Sequence, residues 1–347
     1  MTDTARESVS AAGARAPMPS EFPVFPPGWF LFCHERDLRR GPYARDFLGR
    51  RLVAFRPRAG EAVAVLDARC SHMGADLAGG DVHEGCLRCP FHHWQYGADG
   101  RCTRIAAQEE IPRFARQRAY PTAEVGGHVF VYNGRDETVR LPFFTGKSPA
   151  DFVAAKPFSF LVHCPWYLIS SNGFDAQHFA AAHDRELLGP VEVESHDEWC
   201  RAAAEFRIVG NSWQDAATRI FSGRTLTMTV TSHGGTLVLV TARFRRTTSY
   251  GLVSILPLEA EKTLVSVIAW VPQSGHAVLR GVFDGLHARV RAYFIRKFVE
   301  PDARVSQGCT YHPRRLIAAD SIMAGYLTWL AAAMARHESS PSSTRDP

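Results

Sequence analysis

The chain has 347 residues, long enough for one or two domains and for a core that needs no covalent staples. Hydrophobic residues at 46% and charged residues at 22% exclude a disordered, collagen-like or coiled-coil chain, and eight cysteines are too sparse for a disulfide scaffold. The net charge of +5 comes from 40 basic and 35 acidic residues with no basic block, so nucleic acid is not an expected partner.

In chain order, residues 1–24 are rich in Ala, Ser, Arg and Pro without periodicity and read as a flexible leader. They hold no continuous apolar stretch of the signal-peptide kind, and no apolar run in the chain reaches the ~18 residues that span a bilayer. A cytoplasmic protein without a membrane span is the expectation. From 25 to 135 the apolar runs are short and β-branched: Arg51 to Arg56, Ala62 to Leu66 and His128 to Tyr132, bounded by Gly, Pro or Asp. This predicts a small all-β domain. From 136 to 347, beyond Pro142 and Pro149, the pattern is mixed. Thr225 to Thr231, Thr236 to Arg243 and Leu264 to Val271 alternate like antiparallel strands, whereas Ala277 to Val299 and Asp320 to Ala333 carry helical spacing. The fold class is therefore α+β, a small β domain followed by an antiparallel sheet with helices.

Two constellations carry chemistry. The first is Cys70-x-His72 followed, after sixteen intervening residues, by Cys89-x-x-His92. Two such hooks on two loops can bring two thiolates and two imidazoles together, with Gly74, Gly79, Gly80 and Gly85 supplying backbone freedom. A zinc site uses the same residue types, but commonly presents a Cys pair and then a His pair. A Rieske [2Fe–2S] centre uses two Cys on one iron and two His on the other. The flanking words, CSHMGADL and CPFHHW, resemble the two cluster loops of Rieske domains.

The second constellation is Asp175-x-x-His178-x4-His183, within NGFDAQHFAAAH. Two imidazoles and a carboxylate suit a non-haem Fe(II), which they hold on one face while other positions stay open for O2. His178 and His183, five apart, would differ by about 140° on a regular helix, so joint ligation predicts a π-bulge between them.

Together the two constellations resemble the α-subunits of Rieske non-haem iron oxygenases, from about Trp29 to Trp329. The resemblance implies a [2Fe–2S] cluster on Cys70, His72, Cys89 and His92, and a helix-grip-like catalytic domain holding one Fe(II) through His178 and His183. It implies that Asp175 bridges to His92 of a neighbouring subunit and that Asn172 lies near the metal. The third ligand it implies is a carboxylate on a late helix; Asp302 fits best, Glu300 is the nearest rival, and Asp284 and Asp320 fit less well. Pro301 directly before that Asp, and Ser306 where an aromatic residue is common, depart from the family pattern.

The family takes electrons one at a time from a separate ferredoxin or NAD(P)H-dependent reductase and assembles as a head-to-tail homotrimer. No G-x-G-x-x-G stands in a βαβ context here, in keeping with a separate reductase. The loop words look like the branches containing aminopyrrolnitrin oxygenase and the 3-ketosteroid 9α-hydroxylase and cholesterol 7-desaturase group. They imply a monooxygenase acting on a hydrophobic ring compound, by arylamine N-oxygenation or C–H hydroxylation. The alternatives are a steroid-type hydroxylase or desaturase, and a Rieske electron carrier without oxygenase activity. Phe206, Trp213, Phe221 and Met228 are indistinguishable, in sequence, between pocket wall and core.

Overall fold

A computed structural model describes residues 15–134, 139–274 and 283–339. The chain divides into two compact units, one from Trp29 to Leu141 and the other joining the residues up to Gly28 to those from Pro142 onward. None of the described helices is long and apolar enough to cross a membrane.

The smaller unit contains three small antiparallel sheets. Its strands are β1 (Gly28–His34), β2 (Tyr43–Phe47), β3 (Arg50–Phe55), β4 (Ala64–Asp67), β5 (Asp81–His83), β6 (Cys86–Arg88), β7 (Gln95–Tyr96), β8 (Cys102–Arg104), β9 (Ala119–Tyr120), β10 (Thr122–Val125) and β11 (His128–Asn133). They are ordered β1-β11-β10, β2-β3-β4-β9 and β5-β6-β7-β8. Val53, Phe55, Leu66, Leu77, Leu87 and Tyr96 are fully buried in a core shared by the two four-stranded sheets. The two motif loops leave this core, one between β4 and β5 and the other between β6 and β7.

The larger unit is built on β12 (Phe152–Ala154), β13 (Phe158–Val162), β14 (Arg185–Leu187), β15 (Glu192–Ser195), β16 (Trp199–Ile208), β17 (Thr225–His233), β18 (Leu237–Phe244), β19 (Thr248–Glu259) and β20 (Lys262–Pro272). The main path runs β12-β20-β19-β18-β17-β16-β14, with β13 on β20 and β15 on β16. The period of two is plain in β16, where Ala202, Ala204, Phe206 and Ile208 are buried and the intervening side chains are not. Five helices accompany the sheet among the described residues: α1 (Trp166–Ser171), α2 (Ala176–His183), α3 (Trp213–Phe221), α4 (Gly285–Val305) and α5 (Ser321–Ser339). Tyr326, Leu327, Leu330, Ala331 and Met334 place one face of α5 in the core, where Tyr326 stacks on Phe174 with ring centroids 3.9 Å apart.

Three expectations change. The stretch to residue 24, read as a leader, is packed where it is described: Phe22 is buried and stacks on Tyr167 at 4.1 Å and 16°. An aromatic ring of that area outweighs the polar composition around it. The compact units divide at Leu141/Pro142 rather than at 135/136, and residues 135–138 lie outside those described. Finally, α4 runs six residues past Val299 and through Pro301 to Val305; part of its expected start, 277–282, lies outside the described residues. Proline removes one helical hydrogen bond, but the segment beyond it is held by what Asp302 touches.

Candidate metal centres

The two motif loops of the small unit are built alike. Gly74 N–H donates to the Cys70 carbonyl at 2.8 Å, and His93 N–H donates to the Cys89 carbonyl at 3.2 Å. Each residue four after the cysteine is left-handed, Gly74 with φ 73° and His93 with φ 56°. Each cysteine N–H also finds a carbonyl across its own loop, Cys70 on Ala75 and Cys89 on Trp94. His93 thus occupies the turn position that glycine takes in the first loop, which explains why two histidines stand side by side. Cys70 and Cys89 are buried, whereas His72 and His92 are exposed. The imidazoles lie 4.7 Å apart, and His72 stacks on Trp94 at 4.4 Å and 4°. Tyr96 OH lies 3.0 Å from Cys70 Sγ and 3.0 Å from Ser71 Oγ; burial pushes its pKa up, so it stays a hydrogen-bond donor. Burial likewise raises the Cys89 thiol when no metal holds it. Two sulfurs inside and two imidazoles at the rim form a donor set that fits a [2Fe–2S] cluster. Cys86 faces Thr103 instead, and His83 lies on β5.

In the large unit His178, His183 and Asp302 converge across 124 residues of chain. Asp302 Oδ1 lies 2.8 Å from His178 Nε2 and 2.8 Å from His183 Nε2, and the two nitrogens are 3.2 Å apart. Ligands at right angles on a metal ~2.1 Å away sit about 3.0 Å from one another, so this triangle matches one face of an octahedron. Burial pushes the Asp302 carboxyl up, but the two imidazoles outweigh it and hold the group below its usual range. The expected π-bulge is absent. α2 is a regular α-helix in which His183 is the last residue, followed by Asp184 in the left-handed region with φ 52°. A terminal side chain meets its neighbour's nitrogen by bending over the helix end, so the helix need not be distorted.

The other expected residues fall around this triangle. Asp175 caps α2 by accepting from the N–H groups of Gln177 and His178, both on Oδ1. Asn172 Nδ2 donates to Ser306 Oγ at 3.3 Å and lies on the cavity wall beside His178. The rival carboxylates are engaged elsewhere: Glu300 with Lys297, Asp320 with Gln177, and Asp284 with the Ser274 N–H.

Sequence reading missed what holds the triangle. Phe298, one turn before Asp302, stacks on His183 at 4.1 Å and 14°. Arg185, two residues after His183, donates to the His183 carbonyl at 2.7 Å and to Asp215 Oδ1 at 2.8 Å, and Ser212 Oγ donates to Asp215 Oδ2 at 2.6 Å. Only the i, i+4 spacing of Phe298 and Asp302 could have signalled any of this. The triangle opens onto a cavity of about 870 Å³ walled by β13 and β17 to β20, α3 and α4. Trp213, Phe221 and Met228 line it, whereas Phe206 packs in the core against Phe179 at 5.0 Å. Gly251 faces Val240 across β18 and β19, and a Cβ there would meet open space. The glycine widens the cavity.

Comparison with known proteins bears on the first of these centres and on the fold. Residues 28–115 match the Rieske [2Fe-2S] domain family. The chain is 34% identical over 183 residues to cholesterol 7-desaturase nvd 1 of Ciona intestinalis, covering 51% of this chain and 39% of that protein. It is 34% identical over 181 residues to aminopyrrolnitrin oxygenase PrnD of Pseudomonas fluorescens, covering 49% of each. The chain thus spans less than half the length of these relatives. The structure of dicamba monooxygenase with non-heme iron and dicamba shares the fold, with a TM-score of 0.64 over 90% of this chain and 97% of that one at 16% identity. The chain carries a Rieske [2Fe–2S] domain and is related to Rieske oxygenases.

Proposed function

We propose that the protein is the terminal oxygenase component of a Rieske non-haem iron monooxygenase acting on a hydrophobic ring compound. The observation that carries this reading is the face of His178, His183 and Asp302 opening onto an apolar cavity large enough for a multi-ring ligand. A pure electron carrier has no use for a metal face inside such a cavity. The names of the relatives, an aminopyrrolnitrin oxygenase and a cholesterol 7-desaturase, support bulky ring substrates. N-oxygenation and ring C–H hydroxylation both fit.

In this reading a [2Fe–2S] cluster on Cys70, His72, Cys89 and His92 supplies single electrons, and a mononuclear Fe(II) on the triangle supplies O2 activation. The chain does the rest. The apolar walls of β17 to β20 bind the substrate and exclude water, while Phe298 and the Arg185–Asp215 pair keep the His183 ring in place. Asn172 completes the polar edge beside His178. Asp175, whose Oδ1 caps α2, hydrogen-bonds the partner subunit's His92 through its other oxygen in a head-to-tail homotrimer. Electrons come from a separate ferredoxin or NAD(P)H-dependent reductase, in the cytoplasm.

The test is a single turnover of the chemically reduced protein with 18O2 and a panel of arylamines and steroids. One labelled oxygen in the product is expected, and the His178→Ala/His183→Ala variant should stop product formation while leaving the cluster spectrum intact. A cis-dihydrodiol as the sole product would overturn the monooxygenase assignment. Product formation by the double variant would overturn the site.

A further inference from the structure

The cavity wall contributed by α4 extends from His287 to Arg304. Arg291 and Asp302 are eleven residues apart, three helical turns plus about 20°, so they share a face and are separated by about 16 Å along the axis. Asp302 marks the metal end of that face, Arg291 lies three turns away from it, and His287 lies one turn further. The Arg291 guanidinium donates to Ser249 Oγ at 2.7 Å and Thr247 Oγ1 at 3.0 Å, both neutral hydroxyls. Two of its five N–H groups are thereby used. Among the described residues no carboxylate pairs with it. The contrast is with Arg185 on the same cavity, which is paired with Asp215.

Arg291 is half-buried without a counter-ion, and that partial burial lowers its pKa. The remaining N–H groups form a planar fork suited to a carboxylate.

From these observations we propose that the substrate is an amphipathic ring carboxylate, its anionic end on Arg291 and its apolar body along α4 toward the metal face. The inference rests on the oxygenase reading for the reaction, but not for the binding. Arg291 is a specificity residue: it touches the end of the substrate remote from the reacting atom and selects which end enters first.

The experiment is calorimetric binding of ring carboxylates with one, two and three fused or linked rings, each against its primary amide, to the full-length protein. It is run with iron loaded and with the mononuclear iron removed, where a carboxylate has no metal to bind. At least one acid should bind ten-fold or more tighter than its amide in both forms. Arg291→Gln should abolish that preference without weakening the amide, and Arg291→Lys should retain part of it. If no acid outbinds its amide in wild-type protein, or the preference vanishes with the iron, or Arg291→Gln preserves it, the proposal is wrong. The wild-type comparison decides even where a variant fails to fold. Tight Arg291-dependent binding without any oxygenated product would count against the oxygenase reading and leave this one standing.

Discussion

The two metal centres are assembled in opposite ways. The cluster loops are local: each cysteine and histidine lies within four residues of its partner, and the turn bonds that shape each loop close within that loop. The triangle is long-range, since strands β14 to β20 lie between His178 and Asp302 in the chain. A local centre is robust to changes elsewhere and readable as a word. A long-range centre depends on every layer behind it, and removing one supporting contact is felt at the metal.

The largest effect that separates the two centres is expected from Asp302→Ala. It should empty the mononuclear site and leave the [2Fe–2S] spectrum unchanged, read by iron analysis and EPR on the same sample; Glu300→Gln should leave both the iron content and the spectrum unchanged. Next comes Asp215→Ala, which leaves Arg185 buried without its partner. The expected loss is about 3–5 kcal/mol, or a Tm roughly 10 °C lower, with weaker retention of the mononuclear iron because Arg185 also holds the His183 carbonyl. Glu186→Gln, on an exposed pair with Arg207, should change stability by no more than about 0.5 kcal/mol.

In the local centre Tyr96→Phe deletes a hydrogen bond to Cys70 Sγ. A bond worth about 1.5–3 kcal/mol more to the reduced cluster corresponds to a midpoint potential lower by about 65–130 mV, measurable by redox titration with folding and iron content unchanged. The smallest effect should be His93→Gly. The residue holds the left-handed turn that Gly74 holds in the other loop, so glycine relieves strain and the cluster should form normally, with Tm within a few degrees. Loss of the cluster would show that His93 is more than a turn residue.

The same contrast explains what could be read from the chain. The Cys70 to His92 words and the strands around them were visible because spacing and turn glycines are properties of adjacent residues. His178 and His183 were visible as a pair, but the distortion inferred between them was not needed, because helix arithmetic ignores what a residue at the helix end can reach. Asp302 emerged only through family resemblance, since Glu300, Asp284 and Asp320 are chemically equivalent until the fold separates them. Phe298 beside His183, Arg185 beside Asp215, and the cavity made by Gly251 depend on which elements pack together, and nothing in local sequence fixes that. Phe22 was misread for the converse reason: composition around it is polar, yet its own ring is held by Tyr167, far along the chain.

The central claim is two iron centres of different construction in one chain. Its most direct test is iron content with EPR on anaerobically purified protein, before and after reduction with dithionite. About three irons per chain are predicted, two in a cluster with the low average g-value of histidine-ligated [2Fe–2S] centres and one removable by Asp302→Ala. Two irons that added Fe(II) cannot raise to three would contradict the mononuclear centre. Zinc with no EPR signal would contradict both.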